Sequence, residues 1–126
     1  MASHEEIMES FEAMVRALDW EAIETWRQHV TLAHVESLVA LYARMQTWEE
    51  RCAVLQLLQD KPHPEVTSVM HHFLVGAPKG DDENFELTKA TALCHLTGNF
   101  ELFPIYYDDR EKLAADIAAW RAKRPN

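Results

Sequence analysis

No glycine precedes Gly76 and no proline precedes Pro62 in this chain. So long a stretch without backbone breakers argues against a turn-rich fold and for helices joined by short turns. Cysteine is scarce as well: only Cys52 and Cys94 are present. Both sit among apolar neighbours in helical patterns and read as buried reduced thiols, while their spacing alone leaves a disulfide open. No apolar run approaches membrane-spanning length, and the acidic start Ser3-His4-Glu5-Glu6 lacks an apolar core segment, so a soluble cytoplasmic protein without membrane contact is expected. Cations are the minority, 12 Lys and Arg against 21 Asp and Glu, for a formal net charge of -9. Phosphate binding needs a positive stripe, so nucleic acid is not an expected partner, whereas a protein with a basic surface is.

What is present is helical periodicity. At 126 residues the chain suits one helical domain, 1–126, able to bury roughly two-thirds of its unfolded surface. Ser3 and Glu6 have capping-box spacing and open a helix to about Leu18, with Ile7, Phe11, Met14, Val15 and Leu18 on one face. Three later helix starts share one pattern, a small polar residue followed by an aromatic and a glutamate: Asp19-Trp20-Glu21, Thr47-Trp48-Glu49 and Asn84-Phe85-Glu86. In each the first residue suits the N-cap and the glutamate complements the helix dipole. The helix at Asp19 carries Trp20, Ile23 and Trp26. Thr31 caps another, with Leu32, Val35, Leu38, Val39, Leu41 and Tyr42 inward. The helix after Thr47 is apolar around much of its circumference and belongs in the middle of a stack. Pro64 suits a first helical position, and Gly98 suits a left-handed C-terminal cap. Residues 99–107 contain Pro104 and read as an irregular, aromatic-rich connection with room for a short strand or one helical turn, before a last helix opened by Asp108 and Glu111.

The second helices also match one another. Val35, Leu38, Val39 and Tyr42 align with Val66, Val69, Met70 and Phe73 at a constant offset of 31, and Leu113, Ile117 and Trp120 continue the pattern. About seven helices result: a capping helix over 1–18, then antiparallel pairs over 19–45, 47–75 and 84–123. With these features the chain resembles the HEAT-like and armadillo-like α-α repeat superfamily. Its closest approach is Thr47-Trp48-Glu49-Glu50-Arg51-Cys52-Ala53-Val54-Leu55-Gln56-Leu57-Leu58-Gln59-Asp60, followed by Pro62-His63-Pro64-Glu65-Val66. The resemblance implies a short α-α superhelix whose helices line a partner-binding face. An irregular helical bundle is the alternative architecture.

Chemistry is not marked. Adjacent His71 and His72 point about 100° apart on a helix, and neither a His-Glu-x-x-His nor a Cys-x-x-Cys motif occurs, so no metal site is assigned. The segment Gly76-Ala77-Pro78-Lys79-Gly80 lacks the ending of a phosphate loop, and none of the serines sits in a glycine-flanked elbow. The expectation is therefore a non-catalytic, cofactor-free protein–protein interaction module of the inhibitor or immunity type, acting on a basic partner through steered association. The residues singled out for contact are Glu5, Glu9, Glu12, Glu21 and Glu24, the cluster Asp81, Asp82 and Glu83, and the pair Tyr106 and Tyr107. The alternative is a small ligand- or metal-binding protein, or an enzyme, using a His/Tyr-lined pocket between helices. No oligomeric state is assigned.

Overall fold

A computed structural model describes residues 3–80 and 82–123. Within them the protein is all-α, with eight α-helices and one 3-10 turn: α1 His4–Arg16, α2 Trp20–Arg27, α3 Leu32–Arg44, α4 Trp48–Leu58, α5 Pro64–Gly76, α6 Glu83–Thr97, the turn Phe100–Leu102, α7 Phe103–Asp108 and α8 Arg110–Ala122. The chain divides into two compact units, Met1–Val69 and Met70–Asn126, and the division falls within α5.

In the first unit α4 packs against α1, α2 and α3, and α1 packs in turn on α2 and α3. This central place explains why α4 is apolar nearly all round: Cys52, Ala53, Val54, Leu55, Leu57 and Leu58 are all buried. Each fully buried Leu, Val or Phe is worth about 1.5–3 kcal/mol, and Phe11, Val15, Ile23, Leu38 and Leu41 close the core around α4. The helix starts follow local chemistry. Ser3 Oγ accepts from the Glu6 amide at 3.1 Å, Asp19 Oδ1 from Ala22 at 3.2 Å, and Thr47 and Glu50 form a reciprocal capping box.

Two positions on these stripes are not enclosed: Trp26 is 38% and Leu32 58% exposed. Helical spacing gives a side chain its direction but not its cover: the Trp26 ring meets Phe11 of α1 edge to face at 6.1 Å and still stays partly open, while Leu32 at the start of α3 is mostly open. Trp20 and Trp48 are half-buried rather than enclosed, the latter with the Arg51 guanidinium 4.5 Å above its ring. Helix α1 ends two residues earlier than its apolar pattern, because Leu18 takes a left-handed conformation at φ 52°. The Asp19 amide then bonds to the Met14 carbonyl and the Leu18 amide to the Val15 carbonyl, each at 3.0 Å. That arrangement is a Schellman closure with leucine where glycine is usual.

In the second unit α7 packs on α6 and α8, and the 3-10 turn packs on α6 and α7. Phe73, Leu74, Phe85, Leu93, Tyr106 and Leu113 form its core, with Phe73 and Phe85 edge to face at 5.5 Å. The third aromatic-glutamate start is displaced from its expected cap. Asp82, not Asn84, caps α6, its Oδ1 accepting from the Asn84 and Phe85 amides at 2.7 and 3.3 Å. A carboxylate two residues upstream outcompetes the asparagine and draws the helix start toward it. Residues 100–108 are helical rather than irregular, since Pro104 falls in the first turn of α7, where its missing amide proton costs nothing. The last helix starts one residue later than expected, capped by Asp109 rather than Asp108 through the Lys112 amide at 3.0 Å. Gly98 caps α6 at φ 70° as its position predicts. Both cysteines are buried and reduced, and burial pushes the Cys94 thiol up.

Candidate functional site

In the first unit α1 and α3 leave a groove of about 390 Å³ between them. On α1 it is lined by His4, Glu5, Met8, Glu9 and Glu12, and on α3 by Ser37, Ala40 and Arg44. The spacing explains the pairing: Glu5, Met8, Glu9 and Glu12 fall at three- and four-residue steps on one helical face, as do Ser37, Ala40 and Arg44. The small side chains Ser37 and Ala40 give the groove its depth.

Its carboxylates are not equivalent. Glu12 is fixed, accepting from Arg16 Nε at 2.9 Å and from Arg44 Nη2 at 3.3 Å. The Arg16 hydrogen bond leads, and both guanidinium charges assist, in holding its carboxyl below the usual range. Glu5 and Glu9, one turn apart, are exposed and have no ion pair among the described residues. At the groove's end His4 Nε2 lies 3.1 Å from Ser37 Oγ, and the His4 ring stacks on His34 at 5.4 Å. His34 is itself buried, with Nδ1 accepting from the Thr31 amide at 3.0 Å. That bond requires a neutral ring, and burial accordingly lowers the His34 pKa, with His4 adding to the effect.

The remaining contact residues are dispersed. Glu21 and Glu24 are exposed on α2 and outside the groove, so the five N-terminal acids do not share one lining. Asp82 is occupied as the cap of α6, and Glu83 pairs with Arg110 at 3.6 Å. Asp81 lies outside the described residues. The tyrosine pair is split by α7. Tyr107 is 52% exposed, but Tyr106 is buried and donates to Asp116 Oδ2 at 2.7 Å, so only Tyr107 offers surface to a partner. Burial first, and then the Asp116 carboxylate, pushes the Tyr106 phenol well up.

Sequence reasoning named the groove's acids but not Met8, Ser37, Ala40 or Arg44. The only available signal was that the last three share a face of α3 opposite its apolar stripe. A depression of about 310 Å³ in the second unit is lined by Tyr106, Asp116 and Trp120, among others, without a histidine. No group of three or more His, Cys, Asp or Glu among the described residues is placed to hold a metal ion. No described helix is long and apolar enough to cross a membrane. Comparison with protein-family models, with curated proteins and with solved structures finds no match to the chain.

Proposed function

We propose that the protein is a non-catalytic protein-binding module of the inhibitor or immunity type, and that its α1–α3 groove receives a basic segment of another protein. The observation that carries this is the placement of Glu5 and Glu9 over the groove, exposed and unpaired among the described residues, beside the fixed Glu12. Unpaired carboxylates on a concave surface attract a lysine- or arginine-bearing partner at long range and speed its encounter. Two buried, reduced thiols suit a reducing compartment and support a cytoplasmic site of action. The repeat-like stripes support a degenerate HEAT-like ancestry, because Val35, Leu38 and Tyr42 and their counterparts Val66, Val69 and Phe73 are all buried.

Fluorescence anisotropy with a short lysine-rich peptide tests the groove. The double variant Glu5→Lys/Glu9→Lys is expected to weaken binding by about a hundredfold, roughly tenfold per reversed charge. The variant Glu21→Lys/Glu24→Lys, which alters net charge equally, is expected to weaken it far less. Equal losses in the two variants would show attraction to net charge alone and would sink the groove as the contact surface.

A further inference from the structure

The second unit of this acidic protein holds a cleft with the opposite charge. It is about 420 Å³ in volume and lies along one face of α8, a size common for small-molecule sites. Its wall on α8 carries Arg110, Glu111, Ala114, Ile117, Ala118 and Arg121, and the facing wall carries Lys79, Gly80, Glu86 and Lys89. Six charges therefore line it, but they are not equally available. Lys89 is buried and neutralised by Glu86 Oε2 at 2.6 Å, and the same oxygen accepts from the Gly80 amide at 3.1 Å. That pair, with Lys89 Nζ 5.1 Å from the Phe85 ring, is part of the wall.

Three cations remain. Arg121 directs Nε and Nη2 to the Leu74 and Ala77 carbonyls at 2.7–2.9 Å, and no carboxylate pairs with it among the described residues. Arg110 donates Nε to the Tyr107 carbonyl at 3.2 Å, meets Glu83 at only 3.6 Å and is about one-third exposed, so its charge is only weakly countered. Lys79 is exposed and has no ion pair among the described residues. Against these stands one carboxylate without an ion pair among the described residues, Glu111. Arg110 and Arg121 are eleven residues apart on one helix, so their Cα atoms lie about 16 Å apart along its axis. Between them Ala114 and Ala118 leave an open apolar floor, with Ile117 beneath.

We infer that this cleft binds an elongated organic dicarboxylate, its two acid groups held toward Arg110 at one end and Arg121 with Lys79 at the other, and its hydrocarbon middle lying on Ala114 and Ala118. Each guanidinium brings a permanent charge and the N–H donors that its carbonyl contacts leave over, which suit a carboxylate. A floor without large side chains admits a chain of methylene groups, and an apolar middle excludes inorganic anions as the preferred occupant. The Glu86–Lys89 pair keeps the wall polar without competing for the ligand, because each charge is already satisfied by the other.

The test is amide chemical-shift titration of the full chain with suberate, and with octanoate as a ligand of similar length carrying one acid group. Suberate is expected to produce saturable shifts at the Gly80, Ala114 and Ala118 amides with a dissociation constant of about 1 mM or tighter. Octanoate is expected to bind about tenfold more weakly. Lys79→Gln and Arg110→Gln, which leave the Arg121 contacts to the Leu74 and Ala77 carbonyls in place, are each expected to reduce suberate binding at least severalfold while thermal melting confirms the fold. The inference is overturned if suberate leaves these amides unmoved, if octanoate binds as well as suberate, or if both folded variants bind suberate unchanged.

Discussion

At the scale of single residues, two glycines are required for different physical reasons. A Cβ at Gly98 would meet no atom within 4 Å, but its φ of 70° is strained for any L side chain. Gly98→Ala is therefore expected to cost about 1 kcal/mol through backbone conformation alone, and Gly98→Asn less, as urea denaturation would show. Gly80 is the converse, since a Cβ there would come 2.5 Å from Cδ1 of the buried Phe85 ring, which is packed against Phe73. His34 supplies a pH dependence whose direction is fixed by its lowered pKa. Its contribution is complete above the unfolded value near 6.5 and is lost as pH falls toward the lower folded value, because the unfolded chain takes up the proton first. Melting temperature should fall between pH 7 and pH 5, and His34→Gln, which keeps an acceptor at that capping position, should flatten the fall. An unchanged pH profile in that variant would remove His34 as the source.

At the scale of elements, the ends of helices are settled by two kinds of partner. The starts of α1, α2 and α4 are capped by a residue within three positions, so their chemistry is legible in sequence. The α6 start shows how such reading goes astray. Asn84 and Asp82 are both good caps, and the charged one prevails because a carboxylate is the stronger acceptor for amides at the positive end of the dipole. The end of α5 is closed from far along the chain, by Arg121 donating to the Leu74 and Ala77 carbonyls. Three charge-assisted bonds at a partly buried helix end make Arg121→Gln expensive, about 2 kcal/mol by urea denaturation, with Arg121→Lys recovering part of it. For α4 the expected sensitivity is to volume. Leu57→Ala should cost about 3 kcal/mol, since the site is fully buried in a helix covered by α1, α2 and α3.

At the scale of the whole molecule, charge separates the surfaces that the helices build. The net charge of -9 is spread over many exposed acids that have no ion pair among the described residues, Glu5, Glu9, Glu21 and Glu24 among them. Self-repulsion of that kind is screened by salt. Melting temperature should consequently rise by a few degrees between about 20 and about 300 mM sodium chloride, although exposed pairs such as Glu12–Arg44 weaken over the same range. A fall in melting temperature would mean that the ion pairs outweigh the repulsion. By itself the sequence determined the all-helical class, most helix starts, the stripes around Phe11, Leu38 and Phe73 and the central place of α4, because each depends on the nearest turns of one helix. Only the tertiary structure decided that Tyr106 is buried while Tyr107 is exposed, that Trp26 and Leu32 are not enclosed, that Glu5 and Glu9 share a groove with Ser37 and Ala40, and that Arg121 closes α5. Those outcomes depend on which element lies opposite a side chain, and periodicity along one helix carries no information about that neighbour.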